Sequence, residues 1–292
     1  MPEWKTRNGI CYYESQLLAR YGFEHLFATR YGGVSAGAFA SLNVSTTRKD
    51  ADGQPDAPEN VVENYRRALA VFGVTPDRAT AAKQTHTDIV LEADASFNGR
   101  GILQNRAHDT GFDGTILRRD NADSPLAACV KTADCAPILL ADITTGDVAA
   151  VHAGWRGTVA DIAAKAAVKL SHGHTENVAA AIGPCIGVCC YEVGDEVYTA
   201  AKLLVESKGK RFDEERLCPV YACCSLGGKR HFDLAGMNKE LLITAGVRPE
   251  NIELSGLCTA CFTDEYGNAP FFSHRASGGH SGTFVSVIRV RR

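Results

Sequence analysis

Apolar positions in this chain recur with two different periods, and the places where the period changes outline its elements. From Val61 the residues Val61, Tyr65, Leu69 and Phe72 return at helical spacing, with Pro58 near the start and Gly73 just past the end. Three further helices are predicted: an alanine-rich one over Thr158 to Leu170, one over Val193 to Leu204, and one over Phe232 to Ala245. The last opens with Asp233 as N-cap and closes at Gly246. Between the helices lie short apolar runs of strand length: Ile89–Glu92, Leu126–Val130, Pro137–Ala141, Val148–His152, Val178–Ile182, Ile252–Ser255 and Thr283–Val290. Several neighbouring runs are too close for crossover helices. That predicts mixed sheets with helices packed outside, an α/β unit rather than a purely parallel doubly wound sheet. The Asp- and Pro-rich stretch Thr46 to Asn60 reads as a linker that runs into the first helix, and no repeat or low-complexity tract interrupts residues 1–292, which read as one domain.

Composition narrows the classes. A net charge of −3 over 292 residues excludes a general nucleic-acid or anionic-membrane binder. The first residues lack the apolar run of a signal peptide, and no stretch approaches a membrane span, so the expectation is a cytoplasmic protein. Eleven cysteines is a high count, and an odd one. In a chain of this kind free thiols and metal ligation are expected before a disulfide framework. Most of those cysteines read as small buried hydrophobes.

Three segments could carry chemistry. In His152-Ala153-Gly154-Trp155-Arg156-Gly157-Thr158 a buried strand turns into a helix through two glycines. There Arg156 and the helix start would make an anion pocket beside a histidine. In Lys131-Thr132-Ala133-Asp134-Cys135 a cysteine lies beside an aspartate in a turn, open to reading as nucleophile, ligand or inert thiol. The third, Gln84-Thr85-His86, places a histidine at a strand boundary. Taken together they offer two imidazoles and one thiolate, a set that zinc accepts while keeping a fourth position open. Spacing alone does not select these three from nine histidines and eleven cysteines. Cys258-Thr259-Ala260-Cys261 is a paired zinc-type motif, but no second pair at zinc-ribbon spacing follows it, and the adjacent pairs Cys189-Cys190 and Cys223-Cys224 read as poor chelators.

These segments, in this order, resemble the multicopper-polyphenol-oxidase-like family, also called the laccase-domain or purine nucleoside phosphorylase family, whose bacterial members are linked to editing of peptidoglycan precursors. The match runs from Thr29-Arg30-Tyr31-Gly32-Gly33 and Ser41-Leu42-Asn43 through Gln84-Thr85-His86, Asp113-Gly114, Ala133-Asp134-Cys135, His152 to Gly157 and Cys190-Tyr191-Glu192-Val193 to Phe271-Phe272-Ser273-His274-Arg275. The resemblance implies a layered α/β/β/α sandwich, similar to the cytotoxic-necrotizing-factor-like cysteine hydrolase fold. It implies zinc held by His86, Cys135 and His152, with Arg275 as a catalytic or phosphate-binding group and with Arg30 and Asn43 in contact with substrate; Arg156, from the helix start read above, is expected to hold phosphate. The implied reactions are phosphorolysis of adenosine, inosine, guanosine and 5′-methylthioadenosine, and adenosine deamination. Apart from the resemblance, the expectation is a monomer acting on small molecules, with neither nucleic acid nor membrane as partner. One departure stands out. Where the family reads Ser-Tyr-Arg-Arg-Asp-Gly, this chain has Ser273-His274-Arg275-Ala276-Ser277-Gly278, so the second arginine is gone.

Three other readings compete. A copper phenol oxidase would need several His-x-His pairs, and the chain has one, His172-Gly173-His174. A cysteine hydrolase of cell-wall precursors would use Cys135 as nucleophile. A pure binding protein would use the metal for recognition only. The typical deaminase pattern, His-x-Glu with Pro-Cys-x-x-Cys, is absent, so no acid/base residue is assigned.

Overall fold

The structure is a computed structural model that describes residues 3–104, 110–209 and 230–291. Two six-stranded sheets form its middle. The first has the order β1 (Glu3–Arg7), β2 (Ile10–Glu14), β3 (His25–Ala28), β14 (Phe284–Arg289), β7 (Ala127–Thr132) and β4 (Ala79–Ala81). It is antiparallel except where β4 joins β7. The second has the order β13 (Ile252–Leu254), β10 (Val178–Ile182), β8 (Ala136–Asp142), β9 (Val148–Ala153), β6 (Gly114–Leu117) and β5 (Val90–Glu92), with parallel pairing only at its two outer joints. Both sheets are therefore mixed, as the close spacing of the strand-like runs predicts.

Residue parity explains why the central strands read as unbroken apolar runs. In β8, Leu139 and Ala141 face the first sheet while Ile138 and Leu140 face helices. In β14, Phe284 and Ile288 face the second sheet while Val285 and Val287 meet α2 (Pro58–Ala70) on the far side. Each central strand is buried on both faces, so the usual polar alternation disappears. Val61, Tyr65 and Leu69 of α2 cover the first sheet. The other sheet is covered by α4 (Ile162–Leu170) and α6 (Leu234–Thr244), through residues such as Ala163, Ala167 and Leu241. The layers run α/β/β/α.

Several local expectations are corrected. The alanine-rich helix is two helices, α3 (Trp155–Val159) and α4, separated by Asp161, whose φ of 65° lies in the left-handed region and ends the first. The next helix, α5 (Asp195–Ser207), starts two residues later than its periodicity suggests. Val193 belongs instead to β11 (Glu192–Val193), which pairs with β12 (Arg230–His231), and Asp195 and Glu196 favour the new helix start. The short helix α1 (Gln16–Arg20) and strands β1 to β4 and β6 fall outside the sequence prediction. The stretch Thr46 to Asn60 is no free linker. Asp56 is buried, accepting from Ser35 Oγ at 2.5 Å and from Asn43 Nδ2 at 2.8 Å, which fastens that segment to the body. Among the described residues no helix is long and apolar enough to cross a membrane. The pair Cys223-Cys224 lies outside the described residues.

Candidate metal centre and its cavity

Two connections between the sheets build the centre. The chain leaves the first sheet at Thr132, turns through Ala133, Asp134 and Cys135, and enters the second at Ala136. Between β4 of the first sheet and β5 of the second it passes His86. His152 lies in β9, opposite Pro137 of β8. These three side chains converge: their ligand atoms lie within 4.8 Å of one another, with Cys135 Sγ 3.9 Å from His86 Nε2.

Asp113, fully buried just ahead of β6, organises them. One carboxylate oxygen accepts from His152 Nδ1 at 2.7 Å and from the His86 N–H at 3.1 Å; the other accepts from the N–H of Thr87 at 2.7 Å and of Thr85 at 3.2 Å and from the Thr87 hydroxyl at 2.8 Å. Burial works against its charge, but these donors, His152 foremost, hold its carboxyl down at about 2. An ionised acceptor makes His152 Nδ1 the donor, so Nε2 is left with its lone pair for a ligand. His86 itself sits at φ 62°, a conformation that costs a non-glycine residue about 1–2 kcal/mol and is held by the N–H groups clamped on Asp113. Asp134, next to Cys135, has φ 93°.

Without an ion the three groups share protons. Burial raises the Cys135 thiol, but the imidazoles of His152 and His86 more than offset it and bring it to about 6. Burial likewise disfavours a charged His152, yet the Cys135 sulfur and Asp113 push it up to about 9. Gly154 keeps the centre open: a Cβ there would lie 2.9 Å from His86 Cδ2 and 3.0 Å from Cys135 Sγ. Two imidazole nitrogens, one sulfur and an outer carboxylate fit a three-ligand metal site with room for a fourth partner.

The centre opens into a cavity of about 260 Å³ whose walls include Arg48, His86, Asp134, Cys135, Tyr191, His274 and Arg275. The Arg275 guanidinium is aimed by the carbonyls of Cys190 at 3.1 Å and Glu192 at 2.9 Å. Arg48 Nη1 lies 2.9 Å from His274 Nδ1, and burial followed by the Arg48 charge lowers the His274 pKa, so His274 accepts from Arg48. The Asp134 carboxylate is steered by the Thr259 hydroxyl and the Arg275 N–H, both at 2.7 Å.

Not every sequence candidate reaches this place. The structure brings together His86, Cys135 and His152 and adds Arg275. Arg156 lies instead over its neighbour Trp155 and pairs with Glu196 at 3.4 Å on the surface. It starts a helix of only five residues, too short to serve as an anion seat. Arg30 stacks on Phe272 and donates to the Ala40 carbonyl at 2.7 Å. Asn43 is fully buried, with its amide spent on Ser45, Asp56 and Thr283. None of the three lines the cavity. Asp113, Arg48 and His274 were missed. Asp113-Gly114 was visible only as a matching segment, and Arg48 was hidden in the stretch read as a linker.

The chain matches the multi-copper polyphenol oxidoreductase laccase family over residues 24–291. It belongs to that family. It is 34% identical to a purine nucleoside phosphorylase of Deinococcus radiodurans, over 92% of this chain and 89% of that protein. It is 36% identical to a protein named adenosine deaminase RL5 from an unknown prokaryotic organism, over 78% of this chain and 82% of that one. The crystal structure of YlmD from Geobacillus stearothermophilus superposes with a TM-score of 0.82 at 29% identity, covering 100% of this chain and 99% of that one. The layered fold is thus the fold of this laccase family. The single His172-Gly173-His174 motif lies exposed after α4, outside both of the metal-ligand clusters found among the described residues.

Proposed function

We propose that this member of the laccase family is a zinc-dependent purine nucleoside phosphorylase, acting on adenosine, inosine, guanosine and 5′-methylthioadenosine, with adenosine deaminase activity. The observation that carries the reading is a three-ligand centre, two nitrogens and one sulfur, facing a small cavity that also presents two arginines. The names of the relatives from Deinococcus radiodurans and the unknown prokaryote support it. A volume of about 260 Å³ sits at the small end of ligand pockets, suiting a nucleoside rather than a polymer.

Zinc bound there would supply a Lewis acid toward the purine or a water molecule. The chain's own groups do the rest. Arg48 and Arg275 attract and orient the phosphate as it approaches the anomeric carbon. Asp134 is the one carboxylate among the described cavity-lining side chains, and it relays a proton from the incoming phosphate to the departing base. Tyr191 and Ile186 give the base an apolar wall.

The test is chromatography of adenosine incubated with the protein. Adenine is expected with phosphate present and inosine without it, and both should vanish after metal removal and return with zinc. Undiminished adenine release from the metal-free protein sinks the mechanism.

One observation favours a second reading. Cys135, His152 and Asp113 also have the order nucleophile, base and orienting acid, with a thiol near 6 beside an imidazole near 9. A cysteine hydrolase acting on peptidoglycan precursors would use that arrangement. It leaves unexplained why His86 is held at a strained φ against the same sulfur. A covalent acyl adduct on Cys135 would favour the hydrolase, and protection of Cys135 from alkylation by zinc would favour the metal.

A further inference from the structure

A second cluster of soft donors stands apart from the first. The sulfurs of Cys189, Cys190, Cys258 and Cys261 all lie within 4.8 Å of one another, and Cys189 Sγ is 3.6 Å from Cys261 Sγ, 72 residues away in sequence. A zinc tetrahedron with Zn–S bonds of about 2.3 Å has sulfur–sulfur edges of about 3.8 Å, so the four thiols need only a small contraction to close on an ion. The adjacent pair, a poor chelator by spacing alone, succeeds because the chain turns back at Gly187, whose carbonyl accepts from the N–H of Cys190 at 2.9 Å and of Tyr191 at 3.0 Å.

Two further observations show a cradle rather than a chance gathering. A Cβ on Gly187 would lie 3.1 Å from Cys189 Sγ and 3.2 Å from Cys258 Cβ, so glycine lets the backbone approach the thiols more closely than a larger residue would. The Gly187 N–H points at Cys258 Sγ from 3.2 Å. Such a donor stabilises thiolate charge, which four sulfurs around one divalent ion require. Cys189 and Cys261 are exposed, so an ion can reach the cluster from solvent.

We propose that Cys189, Cys190, Cys258 and Cys261 bind a second zinc ion, closed by four sulfurs and structural in role. It clamps two turns that wall the cavity. Cys190 lends its carbonyl to Arg275, Tyr191 and Ile186 line the cavity, and Thr259, inside the Cys258–Cys261 turn, steers Asp134.

The experiment counts metal in the full-length protein, purified under reducing conditions with zinc and dialysed. Wild type is expected to hold two zinc ions per chain, and Cys135→Ser and the double variant Cys258→Ser/Cys261→Ser one each. Cobalt exchanged into the Cys135→Ser protein should give the intense absorption of a tetrahedral four-thiolate site, and this readout decides the matter even if the double cysteine variant does not fold. Chelation of the Cys135→Ser protein should lower its thermal midpoint by about 5 °C or more. A Cys135→Ser protein without metal overturns the proposal, as does a Cys189–Cys261 disulfide in the freshly reduced wild type or an ion identified as iron. One ion per wild-type chain, kept by Cys258→Ser/Cys261→Ser, also overturns it while leaving the first centre intact. One ion per wild-type chain that Cys135→Ser keeps and Cys258→Ser/Cys261→Ser loses supports the proposal and removes the first centre.

Discussion

The two ligand clusters answer the same problem in opposite ways. His86, Cys135 and His152 come from the connections and the strand where one sheet passes to the other, and a buried carboxylate fixes their geometry from behind. The four cysteines come from two turns, and the backbone N–H of Gly187 supplies the outer contact to Cys258. A rigid scaffold lets the first cluster stop at three ligands and face a cavity. Turns without a scaffold of their own would gain rigidity from a fourth ligand. The contrast teaches that openness at a metal centre depends on what stands behind the ligands.

The widest gap between the clusters should appear when a ligand is removed. His86→Gly is expected to reduce adenine release roughly 100-fold or more, because a ligand is gone. Compared as metal-free proteins it should not destabilise the fold: glycine adopts φ 62° freely, so the thermal midpoint should stay or rise, by up to about 1 kcal/mol of stability. Loss of activity with a matching loss of stability would mean that His86 is structural and break the contrast. Cys258→Ser should do the reverse in one respect, lowering the thermal midpoint of the zinc-loaded protein.

The scaffold itself can be weakened next. Asp113→Asn keeps the size of the side chain but removes the charge that accepts from His152, His86 and Thr87, and metal affinity of the first cluster should fall about 10–100-fold, measured by competition with a zinc dye. Unchanged affinity would show that the ligands need no such backing. Gly154→Ala should be milder, costing about 1–3 kcal/mol as the new methyl group forces His86 or Cys135 aside, and chemical denaturation would measure it.

His25 provides the smallest and sharpest control. Like His152 it is buried, but both its nitrogens are used by backbone: Nε2 accepts from the Ser15 N–H at 2.8 Å and Nδ1 donates to the Phe23 carbonyl at 2.9 Å. Burial lowers its pKa, so the folded state keeps it neutral where the unfolded chain is protonated. Below about pH 6.5 the unfolded state binds the extra proton, and stability falls with pH by at most about 1.4 kcal/mol per unit; above that pH the effect vanishes. Denaturation of wild type and His25→Gln from pH 7.5 to 5 should show the wild type losing more. Parallel curves would mean that this imidazole titrates as freely in the fold as out of it.

Helices and central strands were legible because each obeys one period. Pro58 and Asp233 stand at the predicted starts, and β8, β9, β10 and β14 coincide with apolar runs. The amino-terminal hairpin escaped because β1 carries mostly exposed residues and β2, which buries Ile10, Tyr12 and Tyr13, is short and does not alternate. Its marker is the turn Asn8-Gly9, both at positive φ, which hydrophobic spacing does not detect. The first ligand set was legible only through resemblance, since nothing in the separation of His86, Cys135 and His152 links them.

Burial pattern, strand and helix periods and the supply of soft ligands are properties of neighbouring residues, and a linear reading reaches them. Which thiols and imidazoles meet depends on how the two sheets are stacked and where the chain crosses between them. That is why Asp113 emerged as the organiser of one centre only in three dimensions, and why the pairs at Cys189 and Cys258, each unconvincing alone, face each other across a turn. Contacts between distant segments follow from packing the apolar faces together, and no local rule records which polar groups that packing carries along.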